Sequence, residues 1–134
     1  MKLHEVINAE VNRISAYGDS YVEVNEHRYS STLFMTPNEI VTLEEFDGQR
    51  TSTDIETLLQ PAGSLANKIA ELGCDILLVG TGKRQRFPTS ELLVHYASQR
   101  IGLEIMDNRA ACRTFNILVA EERRVGVLLS FGAD

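Results

Sequence analysis

A chain of 134 residues, 43% of them hydrophobic and 24% charged, is long enough for one domain with its own core, which excludes a disordered or fibrous protein. A formal net charge of -6 disfavours duplex nucleic acid, whose phosphates need a broad basic face, so any basic site has to be local. No apolar run approaches the roughly 20 residues that cross a bilayer. Cys74 and Cys112, with three histidines in no ligand spacing, predict no disulfide framework, no metal and no cofactor.

In chain order, Met1-Lys2-Leu3-His4-Glu5 has no apolar signal core, and Glu5 and Glu10 are foreign to a transit peptide, so the expectation is a cytoplasmic location or a chain already matured. Val11, Ile14 and Ala16 lead into the turn cluster Tyr17-Gly18-Asp19-Ser20. Tyr21-Val22-Glu23-Val24 then alternates as a strand does, and Asn25-Glu26 turns it back into His27-Arg28-Tyr29. Ser31 to Thr36 is the next strand, closed by Pro37-Asn38, and Ile40 to Leu43 reads as a short one. Asp47-Gly48 is a turn, and Thr53 to Leu59 a brief helix stopped by Pro61. Ser64 is placed to cap a helix whose Leu65, Ile69 and Leu72 share a face and which Gly73 ends.

The second half alternates. Ile76 to Val79 is a strand. Pro88-Thr89-Ser90-Glu91 starts a helix with Leu93, Ala97 and Ile101 spaced by four, ended by Gly102. Leu103 to Met106 is a short strand, Asp107 or Asn108 caps a helix running to about Glu121, and Val125 to Leu129 is a final apolar strand. A β-rich first third followed by this alternation predicts a single α/β domain over residues 1–134, with helices packed on a mixed sheet.

The segment with most chemical character is Cys74-Asp75-Ile76-Leu77-Leu78-Val79-Gly80-Thr81-Gly82-Lys83-Arg84-Gln85-Arg86, an apolar run that opens through two glycines into three cations. A Rossmann fingerprint would need a third glycine where Gln85 stands and a helix directly after the turn, which Pro88 delays. A phosphate-binding loop would need Ser or Thr where Arg84 stands. The segment therefore reads either as a tight turn that glycine alone permits, or as one wall of an anion site.

Arg109, Cys112, Arg113 and Asn116 are spaced to share one face of the later helix, beside an apolar stripe of Ala111, Phe115 and Leu118. Two arginines near a helix start oppose its dipole, so a negative group is expected opposite them: Glu104, Asp107 or Glu121 from within, or a ligand. Cys112 reads as a buried small hydrophobe or as a thiol activated by Arg113. Glu44-Glu45 and Glu121-Glu122 read as solvated faces rather than paired acid and base, and no serine-hydrolase elbow is present.

Tyr17-Gly18-Asp19 with the following Val22-Glu23-Val24, Leu78-Val79-Gly80-Thr81-Gly82, Met106-Asp107, Ala110-Ala111-Cys112-Arg113-Thr114-Phe115-Asn116 and Arg123-Arg124-Val125 resemble a small single-domain family of unknown function. That family contains mitochondrial complex I assembly factor three and the adipogenesis-associated mammalian protein. The likeness covers nearly the whole chain, and the Ala110 to Asn116 block is its most specific part. It implies an α/β fold with a mixed sheet and a hammerhead-like hairpin region and no established enzymatic activity. For the mitochondrial members it implies a role in assembling complex I. Glu122 stands where that family places the glycine of a Glu-Gly-Arg turn.

Together these observations predict an interaction module that binds an acidic partner segment or a small anion in a basic cleft. Its candidate residues are Gly80, Thr81, Gly82, Lys83, Arg84 and Arg86 on one wall and Arg109, Cys112, Arg113 and Asn116 on the other. The condition is that the strands ending near Gly80 and Met106 are parallel neighbours. The alternative is a metabolite-binding protein or enzyme acting on a phosphate- or carboxylate-bearing small molecule in the same cleft, with Cys112 or Thr81 assisting.

Overall fold

Strands buried on both faces are apolar at every position, and the chain has two such runs, Ile76–Gly80 and Val125–Leu129. In the computed structural model, which describes residues 11–42, 55–83 and 87–131, they lie side by side and parallel at the heart of a five-stranded sheet. In chain order the elements are β1 (Ile14–Tyr17), β2 (Val22–Val24), β3 (His27–Tyr29), β4 (Leu33–Met35), β5 (Ile40–Thr42), α1 (Ile55–Leu58), α2 (Ser64–Leu72), β6 (Ile76–Gly80), α3 (Ser90–Ser98), β7 (Gly102–Met106), α4 (Asn108–Ala120) and β8 (Val125–Leu129). The expected turn at Asp47-Gly48, the helix start at Thr53, Glu44-Glu45, and Arg84 to Arg86 lie outside the described residues.

The large sheet runs β5-β4-β8-β6-β7. β6 pairs in parallel with both β7 and β8, whereas β4 is antiparallel to β5 and to β8, so the sheet is mixed as the alternation of elements predicts. β1, β2 and β3 form a separate antiparallel meander.

Period-two alternation within β6 divides the core. Leu77 and Val79 face a cluster with Leu58, Leu59, Leu65, Ile69, Leu92 and Tyr96 from the α1, α2 and α3 side. Leu78 faces the other way, to Ala111, Cys112 and Phe115 of α4 and to Ile14, Val22 and Val24 of the meander. The result is three layers, with α1 to α3 on one face of the sheet and α4 with the meander on the other.

Three local expectations change. α2 begins at Ser64 itself, with Gly63 in the cap position and no side-chain cap. α3 buries Leu92 and Tyr96 rather than Leu93 and Ala97, because Tyr96 reaches into the core and its hydroxyl donates to Leu59 O at 2.8 Å. α3 also stops earlier than Gly102. Arg100 takes φ 66° and donates to Ala97 O while Ile101 donates to Tyr96 O, the paired reverse bonds of a Schellman ending. α4 ends in the same way, with Glu122 at φ 63°, Glu122 N donating to Val119 O and Arg123 N to Leu118 O.

Candidate functional site

The parallel register sets Gly80 opposite Met106, so the carboxyl ends of β6 and β7 meet as the cleft reading requires. Immediately beyond, Thr81 N and its hydroxyl both donate to Met106 O, at 2.9 and 3.3 Å. Gly82 turns the chain at φ 92°, a conformation glycine adopts without a steric penalty. Its N–H donates to Asn108 Oδ1 at 3.0 Å, and Asn108 N returns a bond to Gly82 O at 2.8 Å.

Asn108 is the organiser of this corner. Buried at the first position of α4, it also donates from Nδ2 to Ser130 O at 2.9 Å, joining the ends of β6 and β8 to the helix. Gly80 leaves the room: a Cβ there would run into Asn108 Oδ1, and would lie 2.9 Å from Leu129 Cδ2 and 3.3 Å from the Ala111 Cβ. Asp107 caps α4 by accepting from Ala110 N at 2.8 Å. Of the two readings of the glycines, the tight turn accounts for both, and the Thr81 and Gly82 amides are spent within the protein rather than aimed at a phosphate.

Against this turn lies a cleft of about 40 Å³, lined by Gly18, Asp19, Gly82, Lys83, Asp107 and Arg109 together with Asn108. Lys83 makes no ion pair with a described residue. The negative group expected opposite Arg109 is Asp19 of the β1–β2 turn, not Glu104, Asp107 or Glu121. Arg109 Nη2 lies 3.0 Å from Asp19 Oδ1, and at 54% and 58% exposure the pair adds little to stability.

The predicted second wall divides. Arg113 is exposed on the outer side of α4 with Nη1 3.5 Å from the Tyr17 hydroxyl. Asn116 is committed to the meander, accepting from Ile14 N at 3.0 Å and donating to Ile14 O at 2.8 Å. Cys112 packs with the apolar stripe at 1% exposure, and burial pushes its thiol up to about 12 despite Arg113 and Arg109, which pull it down. It carries no thiolate at neutral pH. Thus the described residues gather Gly80, Thr81, Gly82, Lys83 and Arg109, while Cys112 and Asn116 face the core and the meander. Sequence reasoning missed Asp19 and Asn108 as members of the corner; the turn cluster at Tyr17 to Ser20 was visible, but nothing in sequence tied it to α4.

Layers and corner together define a mixed α/β domain in which the turn after β6 is bonded to the start of α4. The chain belongs to the family described as "Protein of unknown function (DUF498/DUF598)", whose profile matches residues 14–130. It is similar to a Bordetella parapertussis protein of known crystal structure, with 39% identity and a TM-score of 0.72 over 91% of this chain and 97% of that one. A Bordetella pertussis protein described as a Mth938-like domain shares 34% identity at a TM-score of 0.69, over 92% of this chain and 87% of that one. A Francisella tularensis protein named "13 kDa major membrane protein" is 34% identical over 55 residues, 41% of this chain and 45% of the relative, so the chain spans under half of that protein. Among the described residues no helix is long and apolar enough to cross a membrane.

Proposed function

We propose that the chain is a non-enzymatic interaction module that receives a carboxylate of a partner protein, or a small anion, at the corner of Gly82, Lys83 and Arg109. The observation that carries this reading is the size of the cleft. About 40 Å³ suits one carboxylate and falls far short of the roughly 300–1,000 Å³ that sites for whole metabolites occupy. Lys83 offers a charge with no ion-pair partner among the described residues, and Arg109 is held by an exposed Asp19 from which it exchanges at little cost. Arg84 and Arg86 follow Lys83 directly in sequence and bring two further cations to this stretch of the chain. In this reading Gly80 and Thr81 support the corner, while Cys112 and Asn116 hold α4 to the core and the meander, none of them touching the ligand.

The likeness of the Ala110 to Asn116 block to the family of mitochondrial complex I assembly factor three supports assembly work as the setting, in the cytoplasm. The name of the Francisella relative supports a partner at a membrane. The competing reading, an enzyme or metabolite-binding protein, asks Cys112 or Thr81 to assist, and the first is buried while the second is bonded to Met106 O.

Titration with acetate and inorganic phosphate tests the proposal. Saturable amide shifts at Gly82, Lys83 and Arg109, lost in Lys83→Ala with Arg109→Ala, are expected. A response to neither anion rejects the site. A metabolite that stabilises by about 2.7 kcal/mol at a hundredfold its dissociation constant establishes the competing reading instead.

A further inference from the structure

At the opposite end of the sheet, before β6 and β8, a half-open groove of about 800 Å³ runs between the end of α2, the end of α4 and the loop after β4. Three of the residues lining it are arginines, Arg13, Arg123 and Arg124, against one acid, Glu122. Between them lie apolar side chains, among them Pro37, Leu72 and Val119. In a chain of net charge -6 such an excess of cations at one place is out of keeping with the whole surface.

The positions are fixed by the backbone. Asn12 donates from Nδ2 to Thr36 O at 2.8 Å and to Glu39 O at 3.2 Å, and its N–H donates to Pro37 O at 2.7 Å, which locks the loop wall to the residue before Arg13. The Schellman ending of α4 fixes the other wall and aims Arg123 and Arg124 from a set backbone. A structural role explains part of the cluster, since cations just past a helix end complement its dipole. It does not explain Arg13, which comes from the meander side. Arg13 and Arg123 make no ion pair with a described residue, and the Arg124 contact to Asp75 is long, at 3.9 Å, and exposed.

We infer that this groove is a second binding surface, distinct from the corner at Gly82, and that it takes an acidic segment of a partner protein with apolar residues interleaved among the acids. Charge complementarity selects the acids. The apolar floor selects the residues between them, and a preset frame lowers the ordering that binding demands. Nucleic acid is disfavoured by repulsion from the rest of the surface.

The test uses the full chain, isotope-labelled, titrated with a short synthetic peptide of alternating Glu and Leu and with its Lys and Leu counterpart. Saturable amide shifts are expected at Arg13, Gly73, Val119, Arg123 and Arg124 with the acidic peptide alone, and affinity weakened about tenfold or more by Arg13→Gln, Arg123→Gln and Arg124→Gln together. All three side chains are exposed, so the thermal midpoint should hold; if the triple variant unfolds, Arg13→Gln and Arg123→Gln are read singly in the same titration. Four results would overturn the inference: equal binding of the basic peptide, unchanged affinity in the variants, no saturable shift in the groove, or shifts gathered at Lys83 and Arg109 instead.

Discussion

Replacing Asn108 by alanine removes two hydrogen bonds at once, to Gly82 N and to Ser130 O, and leaves the Gly82 amide facing a space its partner filled. Each bond contributes about 1 kcal/mol net, and stranding a half-buried donor adds to the loss, so the expected destabilisation is about 2–3 kcal/mol. At about 2.1 cal/mol/K of unfolding entropy per residue, 134 residues give about 0.28 kcal/mol/K, which converts that loss to a fall of about 7–11 °C in the thermal midpoint. Asn108→Thr keeps a hydroxyl able to serve one of the two partners and should lose roughly half as much. Circular dichroism melting curves of the three proteins give the order wild type, threonine, alanine, and amide exchange at Gly82 should quicken in the same order. An alanine variant within about 3 °C of wild type, or one equal to the threonine variant, would refute the role assigned to this side chain.

Burial raises the thiols of Cys74 to about 11 and of Cys112 to about 12, from 9.0 in each case, and the Tyr96 phenol to about 12 from 10.0. The folded protein holds all three groups neutral while the unfolded chain ionises them from about pH 9 upward. The stability they contribute is therefore complete below pH 9 and lost progressively above it, so the melting midpoint should fall between pH 9 and pH 11; a flat profile there would contradict the burial. For the same reason both cysteines should resist alkylation in the native protein at neutral pH and react in denaturant. Glu122 occupies the left-handed position of a Schellman ending, so Glu122→Gly should raise the midpoint by about 2–4 °C, a gain of about 1 kcal/mol or less, and a fall would show that the carboxylate has a structural partner.

What could be read in the sequence follows the range over which each determinant acts. β6 and β8 were legible because a strand covered on both faces is apolar throughout, and His27–Tyr29 because a turn of Asn25 and Glu26, both at positive φ, sets it off. The buried face of α3 was not. The spacing of Leu93 and Ala97 imitates an apolar stripe as well as that of Leu92 and Tyr96, and the choice between them depends on distant groups such as Leu59 O, just past α1, which accepts from the Tyr96 hydroxyl. Cys112 had the same ambiguity, lying between an arginine-bearing face and an apolar one. Arg109 had a partner predicted by charge alone, but that partner, Asp19, is 90 positions away and is brought near by packing of the meander on α4. The glycines at and just after the end of β6 were legible as a turn, and the hydrogen bonds that occupy the Thr81 and Gly82 amides were not.

The place of β8 in the sheet has a consequence in time. β4 and β6 are both neighbours of β8 and not of each other, so the central pairings of the fold wait for a strand roughly 90 residues beyond β4. At a synthesis rate of roughly 5–20 residues per second, β4 and β5 stand without their inner neighbour for on the order of 5–20 seconds, and the edge of β6 that β8 will cover is open for a shorter interval. During that delay the nascent chain presents unpaired strand edges on either side of a gap, and any rival strand has the time to enter it first.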